Sequence, residues 1–506
     1  MTTRSWLIFA PAFVLALGCS SKEGPAPAPE PVGDPADLVE QVHAFCGGCH
    51  AYPPPDTFPR RHWKLEVERG YRFFEESALP LKPPPFASVV RYFENRAPEE
   101  LPALTYPKPS RDLDLSFDPI SYPGPEVNGP YAISNVNVVH LTDPKRPEIL
   151  ACDMRHGLVM LLKPSDPEPK WKVIARVPHP AKTEVVDLDG DGINDILVAD
   201  LGSFTPTDKR DGTVVWLRGR ADGTFEPITL LRGVGRVTDV RAADFRGTGK
   251  KDLVVAVFGL QHTGELLFLE NHTTDWSKPS FTSRVLDERH GTIHVPIVDL
   301  NGDGKPDIVA LISQEHEVIV GFINEGNGKF RKQTLYSAPH PGYGSSGIEM
   351  VDLDGDGKLD ILYTNGDVLD EPYLFKPYHG VQWLKNKGGL KFEHRPITPM
   401  YGAHRAIAAD FRGDGKKGIA AVSFLPVEGF PDREKRRADA LVLLDPRKAG
   451  GYERHSLAKV NADHVSCTAG DLYGSGRADI VVGNFGTATA KHPVTIWRNR
   501  GAKGGR

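Results

Sequence analysis

The sequence predicts a mainly β fold, namely a seven-bladed β-propeller preceded by a small α-helical domain. Segments that start about 55 residues apart recur seven times between residues 131 and 500, and each contains several short apolar strands. Helix-like stretches occur between residues 37 and 100. Gly (51) and Pro (44) are both numerous among the 506 residues, which favours many turns over long helices.

The overall composition is that of a soluble globular protein, with 40% hydrophobic and 25% charged residues. A net charge of −5 over this length gives no reason to expect a nucleic-acid partner. Five cysteines are too few for a disulfide framework.

Residues 1–18 have the pattern of a cleaved export signal. Arg4 supplies a positive charge before a short apolar run, Trp6–Leu17, which is too short to cross a bilayer comfortably. The end of this segment, "LALGC", resembles the lipobox of bacterial lipoproteins, in which the cysteine, here Cys19, is lipidated after cleavage. Ala16 stands where leucine is commoner in that motif, and the alternative is an ordinary secretory signal cleaved near Cys19.

A Pro/Ala-rich segment at residues 19–36 follows, and its composition is typical of an extended tether. The signal and the tether predict an exported protein that is lipid-anchored to a bacterial membrane and faces the periplasm or the cell surface. Its membrane contact would run only through the N-terminal lipid. The rest of the chain is predicted to divide into a helical domain (37–110), a linker (111–130), the propeller (131–500) and a disordered tail (501–506).

The stretch "HAFCGGCH" at residues 43–50 contains the motif CxxCH. This motif is typical of c-type haem attachment, in which Cys46 and Cys49 form thioethers with the porphyrin and His50 is the proximal iron ligand. Two alternatives are weaker. A thioredoxin-like pair requires a βαβ context, and half a zinc site requires more ligands nearby, whereas the next cysteine is Cys152.

Residues 37–110 resemble a small cytochrome c, because the motif lies between helix-like stretches in the order helix, CxxCH, helix, helix. The resemblance implies one haem c. The usual distal methionine is missing, since no methionine occurs between Met1 and Met154. Three alternatives for the sixth iron position therefore remain, namely His62, Tyr71 or an open site.

The propeller prediction depends on an Asp/Gly-rich motif between two apolar strands. Three copies are clear, three are degenerate, and a seventh is visible mainly by its hydrophobic register; they begin at Asp187, Asp299 and Asp352, at Asp244, Asp410 and Asp471, and at His140. The repeats resemble the FG-GAP/VCBS family, whose seven-bladed propellers include the head of integrin α chains. The resemblance covers about 370 residues. Closing the ring would remove the exposed sheet edges.

The clear copies are predicted to bind about three Ca²⁺ ions, because side-chain oxygens recur at loop positions 1, 3, 5 and 9 and the position-7 carbonyl lies between them. An EF-hand is excluded because position 12, where its glutamate belongs, is Val198, Ala310 or Tyr363. The alternative is a turn stabilised by Asp side chains alone. The predicted ligands are Asp187, Asp189, Asp191, Ile193 and Asp195; Asp299, Asn301, Asp303, Lys305 and Asp307; and Asp352, Asp354, Asp356, Lys358 and Asp360.

Two of the degenerate copies carry an arginine at position 3, Arg246 and Arg412. We expect each guanidinium to take the place of the ion and neutralise the remaining carboxylates. The repetition of the site around the ring favours a structural role for the ions over a catalytic one.

Polar residues precede the Asp loops and are predicted to line the funnel near the propeller axis. The candidates for contact with a substrate are Asp239, His294, His404, Arg405 and His464. The alternative is that such residues hold only ordered water. Cys152 and Cys467 fall in the first and last blades, where they would form either a disulfide or two buried thiols.

These features together predict an exported, lipid-anchored c-type haem protein with a Ca²⁺-stabilised propeller, acting in electron transfer or as a haem-linked oxidoreductase with an unknown redox partner. A glycan or a small molecule would be its substrate. The first alternative is a non-catalytic propeller that binds a glycan or a protein and carries an accessory haem. The second is a polysaccharide lyase or hydrolase, since FG-GAP-type propellers occur in such enzymes. The sequence contains no clear serine nucleophile elbow, HExxH motif or phosphate-binding glycine loop, and it leaves catalysis open.

Overall fold

The computed structural model describes residues 37–77, 79–106, 108–369, 373–436, 438–447, 450–486 and 492–503. The predicted export signal, Cys19 and the tether lie outside the described residues. In the described part the chain forms three α-helices followed by 29 β-strands, so the fold is mainly β as predicted. None of the helices described here is both long and apolar enough to cross a membrane.

Residues 37–106 form a helical segment with one small apolar core. Its α-helices are α1 (Leu38–Cys46), α2 (Trp63–Ser77) and α3 (Phe86–Glu94), and short 3₁₀ turns occupy Pro55–Thr57 and Arg60–His62. A proline precedes both 3₁₀ turns and α3, because a proline tolerates the first turn of a helix but not its interior. The core holds the segment together through a stacked pair, Trp63 on Phe93, whose ring centroids lie 3.9 Å apart.

The first four blades are four successive antiparallel sheets, and the strands of each sheet are given from the innermost to the outermost. Their strands are β2 (Ile133–Val139), β3 (Glu148–Asp153), β4 (Leu158–Leu162) and β5 (Lys172–Arg176); β6 (Pro180–Val186), β7 (Asp195–Asp200), β8 (Gly212–Gly219) and β9 (Phe225–Val234); β10 (Val237–Ala243), β11 (Asp252–Val257), β12 (Glu265–Asn271) and β13 (Phe281–Asp287); and β14 (Thr292–His294) with β15 (Ile297–Val298), β16 (Asp307–Ile312), β17 (Val318–Gly326) and β18 (Lys329–Ser337). A 3₁₀ turn at Pro341–Tyr343 leads into the fifth blade.

The last three blades complete the seven-bladed propeller that the repeat predicts. Their strands are β19 (Ser345–Val351), β20 (Asp360–Asn365), β21 (Gly380–Asn386) and β22 (Phe392–Pro399); β23 (Ala403–Ala409), β24 (Gly418–Ser423), β25 (Leu441–Pro446) and β26 (Tyr452–Ala458); and β27 (Cys467–Gly470), β28 (Asp479–Gly483), β29 (Val494–Ala502) and β1 (Leu115–Ile120). The innermost strand of the first blade, β2, contacts those of the second and the seventh, which closes the ring.

Ring closure accounts for two differences from the sequence prediction. The expected linker, residues 111–130, contains β1, which pairs antiparallel with β29 and forms the outermost strand of the seventh blade. The expected tail starts inside β29, which continues to Ala502. The first and last parts of the propeller sequence therefore share one sheet, and each keeps the other in place.

In the described part of the propeller, seven hydrophobic clusters lie between neighbouring blades, one for each pair. The second strand of each blade lies between two such clusters and is buried on both faces, as in β7 and β24. This explains why these strands read as continuous apolar runs without alternation. Cys152 and Cys467 are buried as free thiols, so the second of the two alternatives for this pair holds.

The two ends of the propeller carry different loops. Because the strands of a blade alternate in direction, the Asp-rich loops after each innermost strand lie at one end, which we call the Asp-loop face. The loops between second and third strands, and the connections between blades, lie at the opposite end. The helical segment packs on that end, which we call the helical face.

Three contacts show how the helical segment is seated. The Tyr378 hydroxyl lies 3.4 Å from the Thr57 carbonyl oxygen, and Tyr401 accepts a hydrogen bond from the Leu104 backbone at 2.7 Å. Gly342 lies so close to the Phe58 ring that a Cβ at this position would approach it to 2.9 Å. The segment therefore packs directly against the blade connections.

Truncation of a side chain between two blades tests this architecture. Phe268 is fully buried between the third and fourth blades and packs on Phe245 and Phe330 at centroid distances of 5.5 and 5.3 Å. We expect Phe268→Ala to lower the free energy of unfolding by about 3–5 kcal/mol, because the cavity is walled by strands that cannot collapse. Chemical denaturation measures the change. Val285→Ala, at an exposed site of the same blade, is the control, and equal losses in both variants would contradict the assignment.

Candidate functional site

The Asp loops share one backbone arrangement, whether or not they keep the full set of oxygens. In all six loops that begin with an aspartate, that carboxylate accepts a hydrogen bond from the backbone N–H five residues later, at 2.7–3.0 Å. The fourth and sixth residues of the loops, such as Gly190 and Gly192, adopt positive φ values, which glycine reaches without a Cβ penalty. The first aspartate therefore shapes the turn in every copy.

The carboxylate at position 9 is buried and bonded to the backbone of its own blade. The side chains of Asp195, Asp307 and Asp360 accept a backbone N–H from loop position 2 at 2.9–3.2 Å and another from the third strand at 2.7 Å. Burial raises the pKa of all three carboxyl groups. Each predicted position-9 ligand thus has a structural role of its own.

The remaining predicted ligands lie along the loops, where they range from a buried Asp189 side chain to the exposed Asp191. Carboxylate oxygens of Asp187, Asp189 and Asp195 lie within 4.8 Å of one another, as do those of Asp352, Asp354 and Asp356. In the loop that begins at Asp299, the side-chain oxygens of Asn301 and Asp299 both accept the Asp303 backbone N–H at 3.0 Å. In each loop the backbone N–H of the position-7 residue donates to the position-5 carboxylate at 2.8–3.0 Å. The pairs are Ile193 with Asp191, Lys305 with Asp303, and Lys358 with Asp356.

Cationic side chains contact each of these three loops. Arg218 lies 2.5 Å from Asp189, Lys305 lies 2.9 Å from Asp303, and Lys385 pairs with Asp354. These pairs neutralise carboxylates that would otherwise repel one another. An all-oxygen donor set of this kind suits a hard cation such as Ca²⁺, which would compete with the cations for the same oxygens.

The two position-3 arginines behave differently. The Arg246 guanidinium lies 2.9 Å from Asp252 at position 9 and donates to the Asn271 carbonyl, as expected of a group that replaces an ion. Arg412 turns away from its loop and pairs with Asp445 and Asp114 instead. Its loop has Gly418 at position 9, so no carboxylate there attracts the guanidinium.

The CxxCH motif lies at the C-terminal end of α1, where Cys46 is the last helical residue. The Nδ1–H of His50 donates to the Ala51 carbonyl at 2.8 Å, which leaves the Nε2 lone pair free for a metal. Gly48 packs against Leu81, and a Cβ there would approach that side chain to 2.6 Å. The two thiols are free and lie close to each other.

Neither thiol of the motif has the character of a reactive thiolate. Burial, followed by the neighbouring Cys49, raises the pKa of Cys46 to about 12. Burial also raises the pKa of Cys49, and the Glu315 carboxylate of the fourth blade adds to the effect. A dithiol redox centre requires lowered thiol pKa values, so this geometry argues against the thioredoxin-like alternative.

The two candidates for the sixth haem position have different surroundings. His62 lies in a 3₁₀ turn with a buried Nδ1 that lacks a hydrogen-bond partner, and burial followed by Arg61 lowers its pKa. Tyr71 is close enough to Cys46 for that group to raise its pKa after burial, but its hydroxyl donates to the Pro84 carbonyl at 2.5 Å. The phenol is therefore already engaged, whereas the imidazole is not.

Three of the five predicted funnel residues converge in the channel. Lys182 donates to Asp239 at 2.7 Å and to Nδ1 of His294 at 3.0 Å, and Arg241 donates to the other Asp239 oxygen at 3.0 Å. Burial lowers the pKa of Lys182 to about 7 and that of His294 to about 3. The positive charge of Arg405 lowers the pKa of Lys182 and the pKa of His294 further.

Lys182, Asp239, His294 and Arg405 occupy one equivalent slot, five residues before the start of the Asp loop. Gly347 fills the same slot in the fifth blade, and a Cβ there would lie 3.3 Å from the Arg405 side chain. The slot thus forms a ring of positions around the axis, in which Lys182 hydrogen-bonds to Asp239 and to His294. Its mutual pairing indicates a role in holding the blades together.

The other two predicted funnel residues do not join this ring. His404 donates its Nδ1–H to the Val465 carbonyl at 3.0 Å, and His464 donates to the Gly483 carbonyl at 3.1 Å. Burial lowers the pKa of both imidazoles, that of His404 to about 4. The His404 bond joins the sixth blade to the residue before β27, whereas the His464 bond lies within the seventh blade.

Sequence reasoning missed a group of possible metal ligands on the helical face. His290 precedes β14, and Glu315 and His316 lie in the loop between β16 and β17. Their donor atoms lie within 4.8 Å of one another. The letters "QEHE" after a buried strand are the only local signal, and they do not reveal that His290 is a neighbour.

The comparisons with known proteins agree with this architecture. Residues 187–255 and 299–363 match a family described as an FG-GAP-like repeat. The matched ranges contain the loops that begin at Asp187, Asp244, Asp299 and Asp352. No curated protein matches the chain. The protein is a seven-bladed β-propeller, and its repeats are FG-GAP-like.

Removal of the central carboxylate tests the role of the charged ring. Asp239→Asn leaves Lys182 and Arg241 without their common partner, and we expect a loss of about 3–5 kcal/mol in the free energy of unfolding at neutral pH. The neighbouring cations hold the pKa of Asp239 well below its usual range, so its contribution is present above pH about 4 and is lost as the pH falls further. Urea denaturation over a pH series measures both effects.

Asp432→Asn, which breaks an exposed ion pair with Arg436, is the matched control and should remain close to the wild type. A wild-type stability for Asp239→Asn would show that the ring does not support the fold.

Proposed function

We propose that the protein is an exported, lipid-anchored c-type haem protein that acts in electron transfer or as a haem-linked oxidoreductase, with a Ca²⁺-stabilised propeller as its scaffold. The observation that carries the proposal is the geometry of His50 beside Cys46 and Cys49. Its Nδ1–H is engaged by a backbone carbonyl, and its Nε2 is free to bind iron. Bound in this way, a haem supplies one-electron redox chemistry.

The helical segment exposes several large apolar side chains. Half of the exposed large hydrophobic side chains of the described residues belong to the helical segment, and they are 37–50% exposed: Val39, Leu65, Phe73, Leu79 and Phe86. Phe45 and Tyr71 make an aromatic contact next to Cys46, with centroids 5.1 Å apart. The segment therefore has exposed apolar side chains available to a ligand such as haem.

The proposal predicts covalent haem that depends on both thiols. The full chain, produced together with a c-type haem maturation system, should show sharp α and β bands in reduced-minus-oxidised spectra and retain haem after denaturation. Cys46→Ser with Cys49→Ser should abolish covalent haem, whereas Cys152→Ala, in the first blade, should leave it unchanged. Absence of haem from the wild-type chain would overturn the proposal.

Export and lipid anchoring belong to the same proposal, because c-type haem is attached outside the cytoplasm. The N-terminal pattern that ends at Cys19 supports this location. Mass spectrometry of the membrane-bound protein would identify the lipidated cysteine, and a protein found free in the periplasm would favour ordinary secretion.

The propeller is proposed to hold about three Ca²⁺ ions at the Asp-loop face. The convergence of three carboxylates in the loops that begin at Asp187 and Asp352 supports two sites, and the donor set of the loop at Asp299 supports a third. The ions would neutralise these oxygens and fix the loops between the first and second strands. Catalysis is not part of this role.

Replacing one loop carboxylate tests the calcium proposal. We expect about three bound Ca²⁺ ions per wild-type chain and one fewer in Asp354→Asn, because that change removes a charged ligand from one loop. Equilibrium dialysis with metal analysis gives the stoichiometry, and a chelator should lower the melting temperature reversibly. Asp414→Asn is the matched control, since its loop has Arg412 at position 3. Unchanged stoichiometry in Asp354→Asn would count against the site.

A further inference from the structure

A compact group of metal-ligand side chains lies on the helical face, away from the Asp loops. Nε2 of His290 is 3.0 Å from the Glu315 carboxylate, and Nε2 of His316 is 3.7 Å from it. The three donor atoms lie within 4.8 Å of one another, and the imidazole centroids are 5.1 Å apart. Nε2 of His316 is buried and has no hydrogen-bond partner, so its lone pair or proton is unsatisfied.

The backbone holds the two loops in register. The backbone N–H and the hydroxyl of Ser313 both donate to the carbonyl of Gly291, next to His290, at 2.8 and 2.9 Å. Gln314 and Glu317, on either side of the ligand pair, have positive φ values of 58° and 45°. Such left-handed conformations are unfavourable for these residues and persist only where the surroundings enforce them.

The enforcement comes from the next blade. The buried Glu317 carboxylate accepts the backbone N–H of Ser345 at 2.8 Å and pairs with the Ser345 hydroxyl. The Glu317 carbonyl accepts the Ala338 backbone N–H at 2.9 Å. Glu317 is therefore an anchor that points inward, while Glu315 and His316 face outward with His290. The donors are pre-positioned, which lowers the cost of ordering them on binding.

The donor set selects the class of ion. Two imidazoles and one carboxylate suit Zn²⁺ or Fe²⁺, whereas Ca²⁺ requires six to eight oxygens. The ion would replace the hydrogen bond between His290 and Glu315 and would also satisfy His316. Three protein ligands leave at least one coordination position open. The side chains of His290 and His316 are 17% and 18% exposed and that of Glu315 is 36% exposed, so an ion can reach them.

We propose that His290, Glu315 and His316 form a binding site for one divalent transition-metal ion on the fourth blade, facing the CxxCH motif of the helical segment. The Glu315 carboxylate also lies close enough to Cys49 to raise the pKa of that thiol. The site thus lies at the junction between the helical segment and the propeller. It goes beyond the proposed function, and it stands whether or not the motif carries haem.

Calorimetric titration of the full chain with Zn²⁺ tests this site. Excess Ca²⁺ in the buffer keeps the Asp loops occupied, and the variant Cys46→Ser with Cys49→Ser removes the thiols as competing ligands. We expect one Zn²⁺ ion per chain in this background and a rise in melting temperature. Adding His290→Ala, Glu315→Gln or His316→Ala should weaken binding by about 100-fold or more.

His272→Ala is the matched control, because His272 lies 3.8 Å from Glu270 on the third blade in an exposed pair. It should bind Zn²⁺ as tightly as its parent. Loss of the Zn²⁺ signal in the thiol variant itself, with full binding in a chain that keeps both thiols and carries His290→Ala, would assign the ion to the cysteines and overturn the proposal. A second outcome would also exclude the separate site. If the haem-loaded wild-type chain bound no Zn²⁺, and His316→Ala shifted the Soret band of the haem-loaded chain, His316 would be an iron ligand.

Discussion

The propeller depends above all on a buried carboxylate that six of the seven blades place where the second strand begins. It is an aspartate in five blades, at most 1% exposed, and it receives a hydrogen bond of 2.7–2.8 Å from the end of the third strand: Asp195, Asp252, Asp307, Asp360 and Asp479. Glu148 takes this place in the first blade and accepts two loop N–H groups. A carboxylate left unpartnered in the interior would be very costly, so each one fixes the loop and two strands together.

The sixth blade shows what happens without this carboxylate. Gly418 occupies the position, and a Cβ there would approach the Phe411 ring to 2.9 Å. An aromatic side chain therefore fills the space, and the pairing moves outward to Arg412 and Asp445. The same repeat can thus be held by a buried carboxylate, by a carboxylate with arginine as in Asp252 and Arg246, or by packing with a surface ion pair.

The strand order separates repeated chemistry from unique chemistry. The Asp loops recur at one end, whereas the helical segment contacts the other end through blade connections that differ from one another. Between the two ends, Lys182, Asp239 and His294 neutralise one another across the channel. The channel is consequently a structural element, and the proposed haem and transition-metal sites meet at the helical face.

The sequence by itself determined the features that short stretches encode, namely the seven repeats, the apolar second strands, the CxxCH motif and the slot shared by Asp239, His294 and Arg405. Local spacing could not show that Asp195 bonds to Gly219, 24 residues later, or that β1 pairs with β29. Only the tertiary structure brought Glu315 and His316 to His290 and toward Cys49. The physical reason is that periodicity reports which face of a strand is buried, whereas closure of the ring decides which distant side chains meet.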